Sequence, residues 1–214
     1  SSGRSKGLVN HFKEYAEQVC KKFNPTENSL VIDIGSNDGT LLKFFKDHNL
    51  RVLGIDPANE IALKASSEGI KTIPKFFDQN LAKEIVKEHG KAKIITANNA
   101  FAHMDNLKEI MQGIKILMKE DSIFVFEISY LLDVIEKVLL GTIFHEHHSY
   151  HSIKPLKKFF DNFDMELIDI TRNNIQGGSL VGVVQFKKGK YKIDNSVQET
   201  LMIEQKKKID EVET

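Results

Sequence analysis

Five short segments, SLVIDIG, RVLGIDP, IKTIP, AKIITANN and DSIFVFEIS, are apolar on both faces, and a stretch with helical periodicity separates each from the next. A strand of that kind has to be covered on both sides. Alternation with helices therefore specifies a doubly wound, mostly parallel sheet. The intervening helices are DGTLLKFFKDH, a segment near 58–67, QNLAKEIVKEHG closed by its glycine, and a segment near 106–118. Upstream, Leu8, Phe12, Tyr15, Ala16, Val19 and Phe23 recur at helical spacing, and Asn24-Pro25 stops that helix. Downstream come a helical YLLDVIEKVLL, a loop, a short helix PLKKFFDNF and two further strands, MELIDITR and SLVGVVQFKKG. These two follow each other closely enough to pair antiparallel at a sheet edge, which makes seven strands in all. A charged helix, ETLMIEQKKKIDEVET, ends the chain.

The domain reading is an N-terminal helix over 1–24, an α/β domain over 25–190, and a helical extension over 191–214 that leads toward something further. Ser1–Arg4 reads as a cloning remnant and is set aside. The 214 residues suffice for one sizeable core. Thirty basic residues balance thirty acidic ones, which argues against a nucleic-acid binder working through a basic face. No apolar run approaches the roughly 20 residues that a membrane helix needs, so no membrane partner is expected. Cys20 is the only cysteine. It permits neither an internal disulfide nor a cysteine-rich zinc site, and a reducing, cytoplasmic setting is expected.

In a doubly wound sheet, ligands bind beyond the carboxyl ends of the strands. The first strand–helix turn here is VIDIGSNDGTLL. Gly35 and Gly39 allow close backbone approach, and the following helix start offers N–H donors and positive dipole. The dinucleotide fingerprint G-x-G-x-x-G is not met, because Asn37 and Thr40 stand where its second and third glycines belong. Asp33 precedes the first glycine by two residues; it would repel a pyrophosphate and attract an ammonium or sulfonium. Asp56, at the end of the second strand and followed by Pro57, is placed to accept from ribose hydroxyls. The set Asp33, Gly35, Asn37, Asp38, Gly39, Asp56 and Pro57, joined by Asn98 and Asn99 after the fourth strand, suits S-adenosylmethionine better than NAD. The competing reading is that Asp33 and Asp38 only cap the next helix.

FHEHHSYH, residues 144–151, packs four histidines around Glu146. A helical zinc motif H-E-x-x-H needs histidines four apart with a glutamate after the first. Glu146 follows His145, but His147 and His148 come next; His147 and His151 are four apart with no glutamate between. No metal is therefore expected. The segment is left as either a site with a histidine base or a polar loop. His103, after the fourth strand, is equally open between a catalytic and a packing role.

VIDIGSNDGTLL, GIDPA, ANNAFAHMDNL, FEISYLLDVIEK, TIFHEHHSYHSIKPL and IQGGSL, in that order over about 30–180, resemble the nucleotide-sugar C-methyltransferases. These are class I, Rossmann-like, S-adenosylmethionine-dependent enzymes that build branched deoxysugars. The resemblance implies methyl transfer to the carbon beside the keto group of a nucleotide-linked 4-keto sugar, through an enolate. It places the base on His147, the motif's glutamate on Glu146 and a second active-site histidine on His103, with His145 in the same site. Imidazole, with a reference pKa of about 6.5, is basic at neutral pH and suits the role. Glu146 would stabilise the imidazolium or orient a sugar hydroxyl.

The chain departs from that family in three ways. Phe144 replaces a usual tyrosine, Val181 follows GGSL where arginine is usual, and neither the family's cysteine-rich zinc domain nor its C-terminal domain is present. The chain therefore reads as a trimmed core or a reduced homologue. Two alternatives follow: an O- or N-methyltransferase of another small molecule, or a non-catalytic S-adenosylmethionine-binding module. The sequence leaves the oligomeric state open.

Overall fold

The computed structural model of the chain describes residues 6–99, 106–139 and 149–209. It contains strands β1 (Leu30–Ile34), β2 (Arg51–Ile55), β3 (Thr72–Ile73), β4 (Ala92–Asn98), β5 (Met118–Ser129), β6 (Met165–Asn173) and β7 (Ser179–Phe186). Their order in one seven-stranded sheet is β3-β2-β1-β4-β5-β7-β6. β1 pairs parallel with β2 and β4, and β2 with β3, whereas β7 is antiparallel to both β5 and β6. The antiparallel pair is at the edge, as expected. The reversed strand, β7, is one position in, and β6 is outermost.

The chain divides into two compact units. The first holds β1 to β4 with helices α1 (Lys6–Phe23), α2 (Thr40–Asp47), α3 (Asn59–Ser67), α4 (Gln79–His89) and α5 (Leu107–Leu117). The apolar stripe of α1 buries Phe12, Tyr15, Ala16, Val19 and Phe23, and Asn24 ends the helix at a positive φ of 42°. Every residue of β1 is buried, Asp33 included, as a strand covered on both faces requires. Asp78 caps α4 by accepting from Leu81 N at 2.7 Å, and Asn106 caps α5 by accepting from Glu109 N at 3.2 Å.

The second unit holds most of β5, then α6 (Leu131–Glu136), α7 (Ile153–Asp161), β6, β7 and α8 (Asn195–Lys207). Phe124, Phe126 and Phe160 form its aromatic centre, with Phe126 and Phe160 ring centroids 5.4 Å apart. Gly182 on β7 leaves the room that the Phe126 ring fills. The helical run expected over YLLDVIEKVLL is shorter in the structure. It stops at Glu136 because Val138 turns to a φ of 49° and Leu139 N returns to Val134 O.

α8 packs against β6 and α7. Its Glu204, only 2% exposed, accepts from the Tyr130 hydroxyl at 2.9 Å and from the backbone N–H groups of Ile153 and Lys154 at 2.6 and 3.0 Å. The last two are the first amides of α7, which lack partners within the helix. A carboxylate from a distant helix therefore caps α7.

Candidate functional site

The Gly35 turn is built by hooking its backbone onto the end of β2. Gly35 N and Ser36 N both donate to Ile55 O, at 2.8 and 3.1 Å, and Gly39 N closes the turn onto Ser36 O at 2.9 Å. Asn37 adopts a φ of 50°, and Gly39 one of 71°. A Cβ at Gly39 would come within 2.8 Å of Ile70 Cγ2, so both backbone conformation and space demand glycine there. Asp56 ties the turn to the next one: Oδ2 accepts from Asn37 N at 2.8 Å and Oδ1 from Ala58 N at 2.9 Å. Each oxygen keeps further acceptor capacity, and the residue remains 8% exposed. Asp38 is occupied locally, because its Oδ1 accepts from Thr40 N and Thr40 Oγ1 at 3.2 and 2.6 Å and starts α2. Asp38 stands one residue before the N-cap, Gly39. Pro57 is exposed beside Asp56.

Asp33 does not cap α2. It is buried in β1 at 4% exposure and accepts from Thr96 Oγ1 of β4 at 2.7 Å. Burial pushes its carboxyl up to about 7, against the lowering effect of the Thr96 hydroxyl and with a further push from Asp56. Among the described residues no cation pairs with either carboxylate. Ser36, also buried, presents its Oγ to no partner among the described residues. Gly54 of β2 allows this close packing, since a Cβ there would collide with Ser36 Oγ and Thr72 Oγ1. An acid-lined turn holding an unsatisfied buried hydroxyl fits a ligand that brings its own hydroxyls and positive charge.

In the second unit, Asn98 ends β4 with both side-chain amide atoms buried and unpartnered among the described residues. Asn99 adopts a φ of 52° and donates its N–H to Glu127 O at 2.8 Å. Glu127 is fully buried on β5, and its Oε1 accepts from Ser179 Oγ at 2.9 Å and Asn173 Nδ2 at 3.1 Å. The IQGG segment forms a single 3-10 turn, Ile175–Gly177. A side chain at Gly178 would overlap Asp133, whose buried carboxylate takes a two-pronged contact from Arg172 at 2.9 Å on each arm. Arg172 also lies 5.3 Å over the Tyr130 ring. These contacts account for the motif's glycine and for the aspartate of YLLDVIEK as structural parts.

Of the histidine segment, only Ser149 to His151 are described. His151 pairs in a β-bridge with Tyr130, and its Nε2 is 2.9 Å from Ser149 Oγ. Burial lowers its pKa and keeps it neutral, which suits a packing role. His103, His145, Glu146 and His147 lie outside the described residues, as does Phe144. Sequence reasoning missed Ser36, Glu127 and Glu204. An acid between Phe126 and Ile128 in an otherwise apolar strand was the available signal for Glu127.

A sheet of this order with β7 reversed, carrying an acid-lined first turn, defines a Rossmann-like methyltransferase. The methyltransferase domain family matches residues 10–170, more than half of the chain, and the chain belongs to that family, whose cofactor is S-adenosylmethionine. The C-methyltransferase NovU of Streptomyces niveus is 32% identical over 174 residues, covering 81% of this chain and 41% of that protein. The chain thus spans about two fifths of the length of the curated relative it matches. Similar solved structures include the methyltransferase in complex with the Haloferax volcanii Trm112 activator, with a TM-score of 0.66 at 14% identity over 86% of this chain and 94% of that one. Another is magnesium protoporphyrin IX methyltransferase from Synechocystis PCC 6803 with bound SAH, with a TM-score of 0.63 at 14% identity over 86% and 87%. At that identity they share the fold. No helix among the described residues is long and apolar enough to cross a membrane.

Proposed function

We propose that the chain is the methyltransferase core of an enzyme that methylates the carbon beside the keto group of a nucleotide-linked 4-keto-deoxysugar. The similarity to a C-methyltransferase over 174 residues carries this reading, and the TIFHEHHSYHSIKPL and IQGGSL motifs support it. The proposal includes the domain reading: 25–190 as the methyltransferase domain, between the helical segments 1–24 and 191–214.

Asp56 accepts from the ribose hydroxyls of the cofactor. Gly35, Asn37 and Gly39 shape the backbone around it, Asp33 supplies the negative charge beneath the turn, and Asp38 and Pro57 flank it. Asn98 and Asn99, at the end of β4, are assigned to ligand recognition. Bound S-adenosylmethionine supplies the electrophilic methyl group.

His147 removes the proton alpha to the ketone and holds it as imidazolium, leaving the carbon nucleophilic. Glu146 stabilises that charge or orients a sugar hydroxyl, His103 polarises the ketone or holds the adjacent hydroxyl, and His145 lines the same site. Alignment of the two reacting carbons and exclusion of water complete the protein's contribution.

The test is exchange of the alpha proton in heavy water, followed by NMR on a nucleotide-linked 4-keto-deoxysugar with S-adenosylhomocysteine bound. The intact chain should exchange it, and His147→Ala should lose exchange while keeping cofactor affinity. Normal exchange in that variant would remove His147 as the base. Cofactor binding without exchange by the intact chain would remove the sugar C-methylation reading.

A further inference from the structure

The cofactor turn contains an electrostatic imbalance that no described residue corrects. Asp33 is buried in the middle of a sheet, and a single hydroxyl, Thr96 Oγ1, satisfies one of its oxygens. A carboxylate taken out of water needs a cation or a dense set of donors to remain ionised. From β2 the group facing it is another acid, Asp56, and its register partner Gly54 has no side chain. From β4 it is the uncharged Thr96, and on α2 the nearest base in sequence, Lys43, is turned to Glu68 at 2.9 Å. The ligand therefore brings the missing positive charge.

The cofactor and its product share an α-ammonium and differ in one charge: S-adenosylmethionine carries a sulfonium, and S-adenosylhomocysteine a neutral thioether. We propose that Asp33 is the residue that reads this difference, holding a proton in the free and product-bound protein and releasing it when the cationic cofactor binds. Methyl transfer removes the charge that kept Asp33 ionised, and the carboxylate regains its proton from solvent. Ionisation of Asp33 then favours fresh cofactor over product, because only the cationic ligand prefers the ionised state. The raised carboxyl, at about 7, places this exchange near neutral pH. This rests on the reading of the Gly35 turn as the cofactor site, but not on the sugar substrate.

Calorimetry of the chain with each ligand, in buffers of different ionisation enthalpy near pH 6, counts the protons released. At that pH the α-amino groups of both ligands are mostly protonated and contribute little. S-adenosylmethionine should release between half a proton and one proton, and S-adenosylhomocysteine close to none. Affinity for the former should fall up to about tenfold per pH unit below 7, with affinity for the latter flat. Asp33→Asn should abolish both differences. Thr96→Val, which removes the donor that favours the ionised form, should move the fall in affinity to higher pH and tests the same point if Asp33→Asn does not fold. Equal proton release with both ligands, or a difference that survives in Asp33→Asn, would overturn the proposal. Binding of neither ligand at any pH would instead overturn the cofactor-site reading beneath it.

Discussion

Glu204 gives the sharpest stability prediction. Its replacement by alanine removes the acceptor of three donors together: two buried ones, the Tyr130 hydroxyl on its fully buried ring and the Ile153 N–H, and the part-buried N–H of Lys154. Hydrogen bonds to a charged acceptor contribute about 1.5–3 kcal/mol each, and loss of a helix cap costs about 0.5–2 kcal/mol. Because one carboxylate serves all three donors, the losses do not add fully, and about 3–5 kcal/mol is expected for Glu204→Ala. For a chain of this size that is a fall in Tm of roughly 6–20 °C. Glu204→Gln keeps an acceptor but sets an NH2 against a donor, so about half the effect should remain. Urea denaturation gives the free energy. Amide hydrogen exchange at Ile153 and Lys154 locates it, because their protection should drop well before that of β5. A Glu204→Ala protein within about 0.5 kcal/mol of the original, with those amides still protected, would show that water replaces the carboxylate and that α8 does not cap α7.

Asp33 should also shape the stability of the ligand-free chain. Between about pH 4 and 7 the folded state keeps the Asp33 proton and the unfolded chain has lost it, so stability falls as pH rises through that window and is level above it. The shift from 3.8 to about 7 corresponds to about 4 kcal/mol. The stability difference between Asp33→Asn and the original protein should therefore grow in the variant's favour from pH 4 to 7, and a pH-independent difference would refute the buried protonated acid. Asp56→Ala should weaken S-adenosylmethionine by roughly ten- to a hundredfold in calorimetry, through loss of a charged acceptor and of the anchor on Asn37 N and Ala58 N. Unchanged affinity would count against Asp56 as the ribose acceptor.

The sheet was legible because its strands have no polar face: residues such as Val31, Ile32, Ile94 and Ile95 admit no half-exposed arrangement. The Gly35 turn was legible for a local reason, since its glycines and acids are contiguous. Other features depend on contacts distant in sequence. Nothing near Asp133 or Gly178 announces that the one needs the space left by the other. Glu204 sits in the charged final helix, beside the run Lys206 to Lys208, where sequence alone suggests a solvated position. Its position seven residues after the buried Val197, on the same face of α8, was the overlooked clue. Apolar periodicity predicts a longer α6 because it continues through Val138 and Leu139 after the backbone has left the helix. For the histidine segment the sequence carries the whole of the catalytic reading, and the described part, His151, is the histidine with a packing role.

The position of β7 has a consequence for synthesis. The first unit is drawn from residues up to 122, which leave the ribosome before nearly all of the second, so its interior can close early. One edge of β5 cannot be finished in that way: its partner there is the last strand of the sheet to be made, and β6, made earlier, waits for the same partner. Until residues 179–186 emerge, the growing chain carries two strand edges with open backbone groups, one of them rich in phenylalanine and valine. Such edges are templates for pairing with another chain. The interval between the completion of β5 and the arrival of β7 is therefore when pairing with another chain has the most open template, and slowed translation between them would favour aggregation over folding.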